Sequence, residues 1–250
     1  MRPYIGITGF MSREEVDAML ALMPPDSKRM LMVGILANQK TLRNEPQKRP
    51  NISPVKEEIE KIFPPFSIND SENRVTFNLI HYNTRDASDL SDQLFQIMCG
   101  DCDGFQLNIA WPPKWELIYY LDCYSMDIVL QIGGRAMAML DSSSQELANK
   151  VSGYREMIDR ILLDPSGGLG KPLDADKLRP HLEALRLAWP ELNLGVAGGL
   201  SAETLHLVKP LLADFPDISI DAEGLLRDAD DRLDLQKAGD YLQRALELFA

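Results

Sequence analysis

Short apolar runs recur along the chain, and between them lie segments whose apolar residues return every three or four positions. The runs are Pro3–Thr8, Met30–Ala37, Val75–Tyr82, Gly104–Asn108, Asp127–Ile132, Arg160–Asp164, Asn193–Ala197 and Asp217–Asp221. Most lack clean alternation, as expected of strands buried on both faces of a parallel sheet. Among the intervening segments, Arg13–Met23 opens on a capping box of Ser12 and Glu15. Ser201–Thr204 opens a helix that is expected to continue toward Leu212, and Leu233–Phe249 has the spacing of a wall helix. Eight strand-then-helix units in 250 residues predict a single-domain α/β fold, a (β/α)8 TIM barrel over residues 1–250, rather than an open doubly wound sheet.

In such a barrel the chemistry sits at the C-terminal ends of the strands. The sixth run ends in Asp164 and breaks into Pro-Ser-Gly167-Gly168-Leu-Gly170-Lys171. A carboxyl at the end of an apolar strand should be partly desolvated, which raises its pKa toward the range of a general acid. The plainer reading is that Asp164 caps its loop or pairs with Lys171. Gly168 and Gly170 permit close backbone approach to a ligand, and Lys171 adds a charge. The seventh run is followed by Gly198-Gly199-Leu200-Ser201, the eighth by Gly224. Loops after the seventh and eighth strands are the usual phosphate site of this fold, so Gly198, Gly199 and Gly224 are candidates for holding one. Asp221 and Glu223 count against it unless they turn away.

The net charge of −12 argues against a broad nucleic-acid surface, yet leaves room for a small phosphorylated ligand held by backbone N–H groups. The N-terminal residues carry no signal-peptide core and no apolar run reaches membrane-spanning length, so a cytoplasmic protein without membrane contact is expected. Cys99-Gly-Asp-Cys102 follows a helix-like segment, where the dipole would not lower a thiol pKa; with Cys123, these are expected to be reduced structural thiols. Neither metal-ligand spacing nor a cofactor motif is present, and none is needed for acid–base chemistry.

One connection is long. Residues 38–52 are polar and include Lys40, Arg43, Lys48 and Arg49. Because they follow a strand they belong at the active-site end, either as a lid whose cations, Arg43 among them, meet an anionic ligand, or as a solvated basic loop. Asn38, Asn108 and Gln131 at strand ends could orient sugar hydroxyls or merely end their strands. His81 at the end of the third run is either a proton carrier or a structural histidine. His181 and His206 fall in wall segments and are expected at the surface.

Taken in order, Gly6-Ile-Thr8, Ser53-Pro54, Gly104-Phe-Gln-Leu-Asn108, Leu162-Leu-Asp164 with Gly167-Gly-Leu-Gly-Lys171 and Asp174, and Ala197-Gly-Gly-Leu200 resemble the phosphoribosylanthranilate isomerase family. That family opens an aminoaldose ring and forms an enolamine, with a cysteine base and an aspartate acid. The resemblance places the acid at Asp164 and a phosphate in the glycine loops. It also shows departures: the family's Cys-Gly-Ile-Thr reads Ile5-Gly6-Ile7-Thr8, its histidine after Gln-Leu is Asn108, and its arginine after Ser-Pro is Val55. A replacement base would come from His81, Asp221 or Glu223. Two functions stay open: an isomerase of a phosphorylated sugar or sugar-amine with altered substrate, or a non-catalytic barrel that binds a phosphometabolite. The partners expected are that small molecule and, if the chain self-associates, further copies of itself.

Overall fold

The computed structural model describes residues 1–65, 74–166 and 171–250. Eight parallel strands pair in sequence order and close on themselves: β1 Tyr4–Thr8, β2 Met30–Asn38, β3 Thr76–Asn83, β4 Gly104–Leu107, β5 Asp127–Gly133, β6 Arg160–Asp164, β7 Asn193–Ala197 and β8 Ser219–Ala222. The last ladder joins β8 to β1, with Gly6 opposite Asp221. Helices α1 Arg13–Leu20, α2 Gln39–Leu42, α3 Lys56–Ile62, α4 Leu90–Ile97, α5 Lys114–Cys123, α6 Gly134–Ala138, α7 Ser144–Ser152, α8 Ala175–Ala188 and α9 Leu235–Leu248 follow the strands. The expected single-domain barrel is the observed one.

Local sequence explains several starts. Ser12 and Glu15 form the capping box of α1, while Asp174 and Asp234 cap α8 and α9 with side-chain oxygens. The helix expected from Ser201 toward Leu212 is instead a turn followed by two 3-10 segments, Leu205–Leu207 and Lys209–Leu211. Pro210 cannot donate the hydrogen bond a longer α-helix would need there. The Ser201 and Thr204 hydroxyls also bond to neighbouring backbone, which competes with helix formation.

Two apolar clusters form because strand side chains alternate between faces. The larger packs the outward-facing residues, Ile5 and Ile7 among them, against the helices. The smaller fills the barrel interior with Tyr4, Met32, Phe77, Leu79, Val129, Leu162 and Ala197. Below it, buried Arg160 lies over the Tyr4 and Phe77 rings at 5.8 and 4.7 Å.

The inward rows then change character toward their C-terminal ends: Tyr4–Gly6–Thr8, Phe77–Leu79–His81, Val129–Gln131, Arg160–Leu162–Asp164, Ser219–Asp221. Each ends polar and buried. The interior is thus an apolar plug with a polar lid of side chains, and that lid is the floor of a cavity.

Candidate active site

A cavity of about 280 Å³ opens at the C-terminal end of the barrel, and its lining includes His81, Gln106, Gln131, Asp164 and Asp221. These side chains form one hydrogen-bonded belt. Gln131 Nε2 donates to Asp164 Oδ2 at 2.8 Å, and Gln106 Nε2 donates to Gln131 Oε1 at 3.2 Å. The same Gln106 nitrogen lies 3.1 Å from His81 Nδ1. Thr8 Oγ1 closes the belt, donating to Asp221 Oδ1 at 2.9 Å and lying 3.4 Å from His81 Nδ1. Six residues on β8, β1, β3, β4, β5 and β6 are therefore linked from Asp221 to Asp164.

Two glycines make room for the belt. A Cβ at Gly6 would stand 2.8 Å from Asp221 Oδ1 and 2.6 Å from Met32 Cε. At Gly34 it would stand 2.6 Å from Thr8 Oγ1 and 2.9 Å from His81 Nε2. No residue with a side chain fits either position while the polar groups keep their places.

The two carboxyls differ in setting. Asp164 accepts three hydrogen bonds, from Gln131 and from the Ser166 N–H and O–H at 3.1 and 2.6 Å. Every one of these partners donates, so Asp164 acts as an oriented acceptor. Asp221 accepts the Thr8 hydroxyl, with the Gln106 amide as a further donor; burial pushes its pKa up to about 7 against these two bonds, and the nearby Glu223 charge adds to the rise. His81 is moved the other way: burial lowers its pKa to about 3, so the ring is neutral at physiological pH. His81 Nε2 and Gln106 Oε1 are buried without a hydrogen-bond partner among the described residues.

The other expected residues fall in three groups. Asn38, Asn108, Gly198, Gly199, Glu223 and Gly224 line the cavity. Gly198 and Gly199 have φ of +126° and +51°, which turns the chain sharply after β7. Gly168 and Gly170 lie outside the described residues. Arg43 and Lys171 do not reach the cavity. Asn38 and Thr41 form a capping box that winds the chain into α2 at once, leaving Arg43 at its far end, 3.9 Å from Glu45. Lys171 lines a separate crevice with Pro172, Lys177 and His181.

From the 38–52 loop it is Arg49 that reaches the rim. Its guanidinium bonds Glu223 Oε1 at 3.0 Å and both Asp231 carboxylate oxygens at 2.6 and 2.7 Å. Asn51 adds a bond to the Asp230 carbonyl at 2.7 Å, so the loop is pinned to the chain after β8. His206 is exposed, as expected, whereas His181 is partly buried and hydrogen-bonded to Ser144 Oγ at 2.8 Å. The three cysteines are free, with Cys102 buried and Cys123 exposed. Among the described residues no cluster of His, Cys, Asp and Glu is placed to hold a metal ion, and no helix is long and apolar enough to cross a membrane.

Thr8 and Gln106 complete the site beyond the residues expected from sequence. The signal was available: both stand two residues beyond an interior position of their strand, where the inward row turns polar.

Fold and site together define a (β/α)8 barrel with a polar, carboxyl-bearing cavity at the end where such barrels act. No family model matches the chain, and no curated protein matches it in sequence. Among solved structures it is similar to phosphoribosylanthranilate isomerase from Thermotoga maritima, at TM-score 0.60 and 14% identity over 98% of each chain. It is also similar to orotidine 5'-monophosphate decarboxylase from Methanocaldococcus jannaschii, at TM-score 0.60 and 11% identity over 100% of this chain and 99% of that one. A third likeness is to 3-hexulose-6-phosphate synthase from Salmonella typhimurium, at TM-score 0.57 and 14% identity over 99% and 98%. At these identities the likeness is one of fold.

Proposed function

We propose that the protein is an isomerase-like enzyme that moves a proton within a phosphorylated sugar or sugar-amine, with Asp221 and Asp164 as its acid–base pair. The observation that carries this reading is the placement of two buried carboxyls in one cavity with opposed surroundings. Asp221, desolvated and hydrogen-bonded by Thr8 and Gln106, holds a proton near neutral pH; Asp164, held by Gln131 and by the Ser166 N–H and O–H, presents lone pairs. Aldose-to-ketose conversion needs one group to protonate the ring or carbonyl oxygen and another to take the proton from the adjacent carbon. From sequence the acid's part falls to Asp164; the hydrogen bonding favours Asp221 for it, with Thr8 and neutral His81 behind.

A phosphate would sit on the turn after β7 and at Gly224. The amides of Gly198, Gly199 and Leu200 have no acceptor among the described residues, and the turn lies on the cavity wall. The solved structures that share the fold include proteins named for phosphorylated compounds, which supports the same class.

The test is solvent exchange. Ribose 5-phosphate and an N-aryl phosphoribosylamine are incubated with the protein in D2O, and loss of the C2 proton is followed by NMR together with product formation. Exchange abolished by Asp221→Asn and Asp164→Asn supports the enzyme. Tight binding with no exchange from the wild type contradicts it and favours the metabolite-binding barrel.

A further inference from the structure

Resting on that reading, we propose that the groove above β3, β4 and β5 is an anion subsite, where Arg85 and Arg135 hold a second carboxylate or phosphate of the substrate. The groove, of about 590 Å³, is lined by these two arginines with Asn83, Thr84, Ser88 and Trp111 among others, and by no carboxylate among the described residues. That is unusual on a chain of net charge −12.

Elsewhere the arginines are engaged: Arg49 by Glu223 and Asp231, Arg179 by Asp214, Arg186 by Asp217, Arg227 by backbone carbonyls of Thr8 and Gly9. Among the described residues only Arg85, Arg135 and Arg232 have guanidinium groups with neither hydrogen bond nor ion pair, and two of the three share this groove. The acids next to Arg85 in sequence are already occupied: Asp86 accepts the Ser88 N–H and O–H at 3.0 and 2.7 Å, and Asp89 accepts Gln93 Nε2 at 2.6 Å.

The groove is continuous with the cavity. Asn83, Asn108 and Gln131 line both, and Gln131 holds Asp164. Its wall is fixed by Trp111, whose φ of +56° a bulky residue rarely adopts, and whose indole N–H donates to the Ala136 carbonyl at 3.2 Å. That bond ties the chain after β4 to α6, the helix carrying Arg135.

Electrostatics then sets the ligand's shape. The carboxyls of Asp164 and Asp221 on the floor make the centre of the mouth hostile to an anion, whereas Glu223 at the rim is paired with Arg49. A doubly charged substrate fits with its two anions at opposite rims, one on the β7–β8 turns and one on Arg85 and Arg135. Its hydroxyls then lie against Asn83 and Asn108, and its reacting carbons between the two aspartates.

Calorimetric titration with ribose 5-phosphate, fructose 1,6-bisphosphate and 6-phosphogluconate tests this. The comparison is between wild type, Arg85→Gln/Arg135→Gln, and Arg232→Gln as a control for lost surface charge. At least one of the two probes with two anionic ends, the doubly charged probes, should bind wild type about tenfold or more tighter than ribose 5-phosphate, which has one. The double variant should erase that advantage while ribose 5-phosphate affinity and melting temperature hold. The proposal is overturned if neither doubly charged probe has the advantage, if the double variant keeps it, or if Arg232→Gln removes it equally. Binding of a doubly charged probe by a wild type that exchanges no substrate proton would sink the isomerase reading and leave the subsite standing.

Discussion

Asp221 and His81 are joined through one hydroxyl, Thr8 Oγ1, which stands 2.9 Å from the carboxylate and 3.4 Å from the ring nitrogen. Burial moves their proton affinities in opposite senses, so the fold favours the neutral form of both at pH 5 to 6. In the unfolded chain the same two residues are a carboxylate and an imidazolium across that range.

This has a signature in stability. Asp221, raised from 3.8 to about 7, contributes stability that is full below its unfolded pKa and lost as pH rises through 7. His81, lowered from 6.5 to about 3, contributes stability present above 6.5 and lost as pH falls through 3. Between about pH 4 and 6.5 one proton is bound in either state, and the two slopes cancel. Relative to wild type, Asp221→Asn should gain about 1.4 kcal/mol per pH unit across that window, and His81→Gln should lose as much. Urea unfolding at several pH values measures both slopes; parallel curves for all three proteins would contradict the assignment.

The space left by Gly6 and Gly34 should be essential. Alanine at either position meets atoms closer than 3.0 Å, including Asp221 Oδ1 or Thr8 Oγ1. Each variant is expected to lose about 1–3 kcal/mol of stability and to displace the belt. Gly224→Ala is the contrast, since nothing lies within 4 Å of its Cβ; that variant should stay within about 0.5 kcal/mol of wild type. Thermal denaturation of the three separates them.

Arg49 should act as a latch with little weight in global stability. Its pairs with Glu223 and Asp231 are partly exposed, so Arg49→Gln should cost less than about 1 kcal/mol. Limited proteolysis should nonetheless cut within 38–52 faster in the variant and in high salt, because Arg49 and Asn51 tie the end of the strap to the chain after β8. Unchanged cleavage would show that the loop is held by other contacts.

Removing either carboxyl should cost activity, with unequal effects on its pH dependence. Asp221→Asn and Asp164→Asn should each lower substrate-proton exchange by about 10²–10⁴. The wild-type pH profile should bend near 7, where Asp221 gives up its proton, and Asp221→Asn should lose that bend. A profile unaltered by the substitution would place the proton carrier elsewhere.

Much of this was legible in the chain. Strands β6 and β7 begin and end where their apolar runs do, because Asp164 and the Gly198–Gly199 turn stop them. β8 starts at Ser219 rather than Asp217, whose carboxylate faces outward to Arg186 at 3.0 Å. Asp164, His81 and Asp221 could be placed at strand ends from sequence. Which of the acids would be desolvated with few donors could not, since that depends on Ser166 and Gln131 converging on Asp164 from different elements. Arg43 and Arg49 were equivalent in sequence, and only the capping box at Asn38 turns one outward while the strap delivers the other to the rim. Arg85 and Arg135 lie far apart in the chain and line one groove only because β3 and β5 flank β4 in the barrel.

The central claim is that one of two carboxyls in the mouth carries a proton at neutral pH and that it belongs to Asp221. A ¹³C-carboxyl NMR titration of aspartate-labelled protein, with Asp221→Asn for assignment, measures this directly. A resonance with a midpoint near 7 that vanishes in the variant is the predicted result. If the Asp221 resonance titrates in the ordinary aspartate range near 4, the claim is contradicted.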